Sequence, residues 1–159
     1  MIYLLFFLII IFFLSVTFAN AADYSTWGYN KVITINTGLT GANITGNVTN
    51  FPLLVKLTAT NFDGWEQTLA GGADIRFTGS DGTTDLPYEI ERWDPVRQQG
   101  AIWVKVDTVY KNTDRQYGTL YWGKSGVSSW GKGSSVFDSS IGYAGVWHMQ
   151  QSSTGLFQD

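Results

Sequence analysis

The amino-acid sequence predicts an all-β protein: an antiparallel β-sandwich, jelly-roll-like rather than immunoglobulin-like, that follows an N-terminal signal helix. Charged residues make up 14% of the chain and aromatic residues 16%, and there are 18 glycines. This composition suits strands that are joined by tight turns. Short segments with apolar residues at alternate positions recur at intervals typical of a sandwich. After the first residues, no segment has the apolar spacing of an amphipathic helix.

The first element is an apolar segment. Residues 2–14 form an unbroken apolar run, and Ala19-Asn20-Ala21 has the small-x-small spacing that signal peptidase accepts. We therefore expect residues 1–21 to be a signal peptide and the protein to be secreted or held in the cell envelope. No Lys or Arg precedes Lys31, which is atypical of a signal peptide. An uncleaved membrane anchor is the alternative, and it would be the chain's one contact with a membrane.

Six strands are predicted after this segment. They lie at residues 29–35, 51–57, 74–77, 86–93, 102–106 and 117–122. Alternation in the fourth strand divides its side chains between two faces, with Leu86, Tyr88 and Ile90 on one and Glu89, Glu91 and Trp93 on the other. The polar residues 37–50 are predicted to form a loop, residues 61–72 an irregular segment with one helical turn near Trp65, and the Gly- and Ser-rich residues 125–135 a flexible linker.

The chain divides into one full domain and the start of another. We assign residues 22–137 to the sandwich, and we interpret residues 138–159, where a new apolar strand begins at Ala144, as the start of a truncated second domain. There is no cysteine, which excludes disulfides and thiolate metal sites. An exported domain of this kind must therefore depend on its hydrophobic core for stability.

Several motifs, in order along the chain, resemble the bacterial and archaeal domain-of-unknown-function family 2341. The most distinctive are Asp74-Ile75-Arg76-Phe77 and the segment from Leu86 to Glu91. The pattern is completed by Trp27-x-Tyr29-x-Lys31, by residues 51–57, by residues 102–106 and by Leu120-Tyr121-Trp122-Gly123. Trp122 departs from the family pattern, in which Tyr is expected. The resemblance covers residues 27–137.

The end of the chain resembles a domain junction. Val136-Phe137-Asp138 and residues 145–149 are similar to the place where such proteins pass into a concanavalin A-like lectin/glucanase (LamG-type) domain. The resemblance implies an envelope or secreted protein with several domains. It implies no reaction, and a fold alone cannot supply one.

Catalytic residues are not predicted. Glu89 and Glu91 are two positions apart on one strand, so their side chains project from one face about 7 Å apart. Glycosidases need two carboxylates at roughly 5 to 9.5 Å, but these flank the scissile bond, whereas two carboxylates on one strand point the same way. His148 is the only histidine, and we expect it to pack within the following domain. The chain is therefore predicted not to be an enzyme.

Aromatic residues are the main candidates for ligand binding, because sugars stack on exposed aromatic faces beside polar groups. The candidates are Trp93 and Trp103 together with Glu89, Glu91 and Arg92. Burial in the core is the more ordinary role of tryptophan.

Acidic residues near the predicted turn at residues 80–82 suggest a calcium site. No other cofactor is predicted. Asp81 and Asp85 are the weak candidates, with Asp74 and Asp94 expected around the same hairpin. Their spacing is not that of an EF-hand, and turn formation is the more ordinary role of such residues. A net charge of −3 with scattered basic residues argues against nucleic-acid binding.

These features favour a non-catalytic extracellular or cell-envelope module for binding or display, directed at glycans or surface proteins. Two alternatives remain open: an accessory domain of a secreted polysaccharide-degrading enzyme whose catalytic part is missing, and a ligand-free structural spacer of an adhesin or envelope complex.

The export hypothesis has a direct test. Expressed in a bacterial host, the protein should reach the envelope and lose residues 1–21, because the small residues before the cleavage point suit signal peptidase. N-terminal sequencing of the product checks this. Met1 retained on a cytoplasmic product contradicts the hypothesis, and Met1 retained in the membrane selects the anchor.

Overall fold

The computed structural model describes residues 21–146, 150–151 and 157–158. The predicted signal helix, apart from Ala21, and His148 lie outside the described residues. Among the residues that are described, no helix is long and apolar enough to cross a membrane.

Two three-stranded antiparallel sheets form the domain, which confirms the all-β prediction. The strands are β1 (Tyr29–Ile35), β2 (Val48–Thr58), β3 (Arg76–Thr78), β4 (Tyr88–Asp94), β5 (Gln99–Val109) and β6 (Gln116–Trp122). The first sheet has the order β1-β6-β3 and the second the order β2-β5-β4. The described helical segments are short: 3₁₀ turns at Gly64–Glu66, Ala70–Gly72 and Ser139–Ile141, and the helix α1 (Gly133–Val136). Two-residue strands, β7 (Gln150–Gln151) and β8 (Phe157–Gln158), pair with each other.

The observed strands match the predicted ones with shifts of a few residues at their ends. β5 extends three residues beyond the prediction at each end, and β2 begins three residues early, at Val48, inside the predicted loop. It begins there because Val48 and Thr49 pair with Val109 and Thr108 of β5, a partnership that local polarity does not reveal. The helical turn expected near Trp65 is present at Gly64–Glu66.

The core lies between the two sheets. Its side chains come from both, including Val55, Leu57, Ile102 and Val104 of the second sheet and Phe77, Leu120 and Trp122 of the first. The loop after β2 adds Phe62 and Trp65, whose ring centroids are 5.0 Å apart in an edge-to-face arrangement. A Cβ atom at Gly64 would lie 2.4 Å from Nε1 of Trp122, so only glycine fits at this position.

A buried carboxylate joins the first sheet to its connections. Asp74 is fully buried. Its Oδ1 accepts a hydrogen bond from the Leu69 N–H at 2.7 Å, and its Oδ2 accepts from the N–H groups of Gly123 at 2.7 Å and Lys124 at 3.1 Å. The Trp27 indole N–H donates to the Asp74 carbonyl oxygen at 3.0 Å. Asp74 therefore connects the N-terminal segment, the loop before β3 and the end of β6.

Arg76, two residues later, makes a second set of connections. Its guanidinium donates to the carbonyl oxygens of Ala73 at 3.0 Å, Ile75 at 2.6 Å and Ser128 at 2.8 Å. The Tyr88 hydroxyl donates to the same Ile75 oxygen at 2.7 Å. The Asp-Ile-Arg-Phe motif therefore serves the fold.

The segment predicted to be a flexible linker is packed onto the domain instead. The Lys132 N–H donates to the Tyr88 carbonyl oxygen at 2.7 Å, and the side chain of Val136 in α1 is fully buried. Trp130 packs against Tyr88 with ring centroids 6.2 Å apart. The linker prediction is wrong because Gly and Ser content determines only the local stiffness of the chain. It does not show whether the segment has hydrogen-bonding or packing partners elsewhere in the domain.

Removing the Asp74 carboxylate should destabilise the domain strongly. Asp74→Ala leaves three part-buried N–H groups without this acceptor, and we expect the free energy of unfolding to fall by about 3 kcal/mol. Asp63→Ala is the matched control, since Asp63 is exposed and caps no helix through its side chain; it should change stability by less than about 0.5 kcal/mol. Urea unfolding followed by tryptophan fluorescence measures both. Equal effects of the two substitutions would contradict this role.

Candidate functional site

A β-bulge in β4 separates the predicted binding residues. Ile90 pairs with Ile102, but Arg92 pairs with Ala101, so the register shifts by one residue at Glu91. The shift turns Trp93 to the inner face, where its ring centroid lies 5.2 Å from that of Trp65. The prediction that Trp93 shares a face with Glu89 and Glu91 is wrong for this reason.

The remaining predicted residues lie on the outer face of the second sheet. Glu89 pairs with Trp103 across β4 and β5, and the Trp103 indole N–H donates to Oε2 of Glu91 at 2.6 Å. Phe137 packs edge-on against Trp103 at 5.7 Å. A Cβ atom at Gly133 would lie 2.4 Å from Oε2 of Glu89, so this carboxylate rests against the first residue of α1. Residues 133–137 thus cover much of the face that was expected to bind a ligand.

A small opening of about 220 Å³ remains beside this covered face, lined by Glu89, Gly133, Ser134, Phe137 and Val146. Arg92 is not part of its lining. The Arg92 side chain is 53% exposed, and its guanidinium lies 3.7 Å from the Asp94 carboxylate.

The four aspartates that were expected around one hairpin have different partners. Asp74 is the buried connection described above, and hydrogen bonds from Arg97 lower the pKa of Asp94 in the turn after β4. Asp85 accepts a hydrogen bond from the Tyr24 hydroxyl. Asp81 closes the turn between β3 and β4 by accepting from the N–H groups of Thr83 at 3.0 Å and Thr84 at 2.9 Å. Within the described residues, no group of three or more His, Cys, Asp or Glu side chains could hold a metal ion.

A surface depression of about 270 Å³ lies at the end of the sandwich where β5 passes into β6. We call it the tyrosine depression. Tyr110 and Tyr117 line it and are 54% and 41% exposed. Its apolar lining residues are Ile35, Leu86, Val106 and Gly118, and the polar ones include Ser80, Asp81, Thr84, Asp107 and Gln116. An apolar surface with a few polar groups is the usual composition of a small-ligand site.

Hydrogen bonds hold both tyrosines in place. The Tyr117 hydroxyl donates to the Ser80 carbonyl oxygen at 3.0 Å. The Tyr110 N–H donates to Oε1 of Gln116 at 2.9 Å, and the Tyr110 carbonyl oxygen accepts from the Thr37 hydroxyl at 2.6 Å. Gln116 also donates through Nε2 to the Thr108 carbonyl oxygen at 2.6 Å. The Tyr117 ring is therefore held through its hydroxyl and Tyr110 through its backbone, while a large part of each ring stays accessible.

Asp81 places a negative charge beside the tyrosines. Hydrogen bonds from the hydroxyl and N–H of Thr84, and then from the Thr83 N–H, lower its pKa to about 2. The carboxylate is consequently ionised throughout the physiological pH range.

A second, more apolar cleft of about 410 Å³ opens between β1 and β2. These are edge strands of the two sheets. The cleft is lined mainly by apolar side chains, among them Ile33, Ile35, Ile44, Phe51, Leu53 and Val109. Phe51 is 41% exposed there. The tyrosine depression has more hydrogen-bonding groups and is the better candidate for a selective site.

Residues 71–142 match the family model described as "Domain of unknown function (DUF2341)". The resemblance to this family is confirmed over those residues. The match contains both of the most distinctive motifs and both tyrosines of the depression. The description names no activity. No curated protein and no solved structure matches the chain.

The tyrosines were missed because sequence reasoning concentrated on tryptophan. A signal was present: Tyr110 follows one predicted strand and Tyr117 begins the next. A short connection between antiparallel strands brings such residues to the same end of a sheet. That rule alone would have placed them together.

The charge on Asp81 predicts an acid dependence of stability. Its pKa is lowered in the folded state, so its contribution is fully present above about pH 4, the unfolded value, and is lost as the pH falls through about 2. The stability difference between the parent and Asp81→Asn should therefore be constant near neutral pH and shrink between about pH 4 and pH 2.

Urea midpoints across this pH range measure the difference. Thr84→Val removes the main cause of the lowered pKa, so in that variant the loss should be smaller and should be complete at a higher pH. A difference that grows as the solution is acidified would refute this assignment.

Proposed function

We propose that this chain is a non-catalytic extracellular or cell-envelope binding module that holds a glycan in the tyrosine depression. The observation that carries this proposal is the pair of exposed tyrosine rings set among polar groups and apolar side chains, with the Tyr117 hydroxyl and the Tyr110 backbone hydrogen-bonded to the domain. Sugars present apolar C–H faces together with hydroxyl groups, and the depression offers a partner for each. Because its hydroxyl is already hydrogen-bonded, the Tyr117 side chain loses little conformational entropy when it binds a ligand.

The negative charges that line the tyrosine depression restrict the class of sugar that it can bind. Asp81 and Asp107 both line the depression. Carboxylates accept hydrogen bonds from sugar hydroxyls strongly and repel acidic sugars. Neutral or amino sugars are therefore the ligands that the depression favours.

The absence of catalysis is part of the same proposal. Glu91 accepts a hydrogen bond from Trp103, and Glu89 lies against α1, both on one partly covered face. Both carboxylates project from one strand on the same face, whereas the carboxylates of a glycosidase flank the scissile bond. The proposal also includes export of the module and a LamG-type domain that follows it and begins near residue 138.

Surface-protein binding is the second candidate. The apolar cleft between the edge strands β1 and β2 favours it, because exposed strand edges add extended segments from other chains. The two candidates use different residues, so substitutions can separate them.

Glycan binding should depend on the two tyrosine rings. Tyr110→Ala and Tyr117→Ala should each weaken binding about tenfold, as for an interface residue that contributes roughly 1.4 kcal/mol. Tyr110→Phe should bind nearly as well as the parent, because it keeps the ring. A glycan array followed by calorimetry with the best ligand measures these effects, with thermal unfolding as the check on the fold.

Phe51→Ala, in the apolar cleft, is the control and should leave glycan binding unchanged. If Phe51→Ala abolishes binding while the tyrosine variants retain it, the site is in the cleft. If the parent binds no glycan on the array, the spacer or surface-protein alternative is favoured over this proposal.

A further inference from the structure

Two triplets between the end of β1 and the start of β2 match the acceptor pattern for N-linked glycosylation, and the second of them extends into β2. They are Asn43-Ile44-Thr45 and Asn47-Val48-Thr49. The two asparagines are four residues apart in a Gly- and Thr-rich segment. The local composition therefore does not show which of them is the better glycan acceptor. The structure gives them different environments.

Asn47 is held in the fold. Its side-chain Oδ1 accepts a hydrogen bond from the Lys111 N–H at 3.0 Å. The next two residues, Val48 and Thr49, belong to β2 and pair with Val109 and Thr108. Modification of Asn47 would require the start of β2 to separate from β5, since a transferase must reach both the Asn amide and the Thr hydroxyl of the triplet.

Asn43 is presented by a turn. Asn43 and Thr45 are exposed, and neither residue belongs to a strand. The Asn43 N–H donates to the Gly38 carbonyl oxygen at 3.1 Å and the Ile44 N–H to the Thr37 carbonyl oxygen at 3.2 Å. Asn43 has φ of 48°, in the left-handed region that Asn tolerates better than most residues. The loop backbone is thus held by its own hydrogen bonds while Asn43 itself is exposed.

We propose that Asn43 is an N-glycan acceptor of the folded protein and that Asn47 is not. The proposal requires export to a compartment with an oligosaccharyltransferase, and it does not depend on the tyrosine depression. The co-reactant is a glycan linked to a lipid diphosphate. A bond forms between Nδ2 of Asn43 and the anomeric carbon, the bond from that carbon to the phosphate oxygen breaks, and the lipid diphosphate leaves with the electron pair. The amide nitrogen loses one proton, and nothing is oxidised or reduced.

The position of Asn43 gives the modification a consequence. Ile44, the next residue, lines the apolar cleft, and Leu39 of the same loop is 83% exposed. A glycan on Asn43 would stand at the mouth of the cleft and shield apolar surface that is otherwise open to solvent.

The test uses the purified, folded full chain, an oligosaccharyltransferase that accepts Asn-x-Thr, and its lipid-linked glycan. Intact mass and peptide mapping should show one glycan, on Asn43. The glycan should be lost in Asn43→Gln and in Thr45→Ala and retained in Asn47→Gln. Synthetic peptides of residues 40–46 and 44–50 are the controls, and both should be modified because neither has a strand partner.

Three results would overturn the proposal. One is modification of Asn47 in the folded chain, alone or together with Asn43. Another is failure to modify the folded chain although the peptide containing Asn43 is modified. The third is failure to modify the peptide containing Asn47, since local sequence and not the pairing of β2 would then separate the two sites.

Discussion

The fold depends on one buried carboxylate. Burying an ionised group costs several kcal/mol unless hydrogen bonds replace the lost water, and Asp74 receives three backbone N–H groups from two separate parts of the chain. The Trp27 indole binds the carbonyl oxygen of the same residue. The start of β3, the end of β6 and the N-terminal segment can therefore occupy their places only together. Arg76 then extends this network to Ser128 and Tyr88.

This network explains why the family match is informative about the scaffold and not about the ligand. The most distinctive motifs of the chain contain Asp74, Arg76 and Tyr88, all of which are buried and bonded within the domain. Such residues preserve an architecture, and the same architecture can carry unrelated ligands on its loops. The tyrosines of the depression lie instead at the ends of β5 and β6. Similarity in the motifs is thus an argument about the scaffold, and the ligand has to be inferred from the depression.

Much of the sandwich could be predicted from local pattern, because each strand buries alternate residues. The positions of β1 and β5 follow directly from such alternation. The pattern failed at Glu91, where a bulge reverses the faces: a bulge is set by the partner strand and has no local signature. It also failed at residues 125–135, whose Gly and Ser content suggested a linker. Their places are set by hydrogen bonds to Arg76 and Tyr88, which local sequence does not show.

The outer faces of the sheets show where a ligand can be accommodated. Residues 133–137 lie against Glu89 and Trp103 on the outer face of the second sheet. On the first sheet, Tyr24 stacks on Tyr121 with ring centroids 4.6 Å apart, and the Ala22 N–H donates to the Thr83 carbonyl oxygen at 3.0 Å. Both flanking segments of the domain thus bury sheet surface that a binding module could otherwise use. Within the described residues, the concave surfaces left open include the tyrosine depression, the cleft between β1 and β2 and an opening of about 420 Å³ lined by residues 48–52, Gly142 and Tyr143. The tyrosine depression combines two exposed tyrosine rings with two carboxylates. That combination favours a polar ligand with apolar faces, which is the chemical character of a sugar.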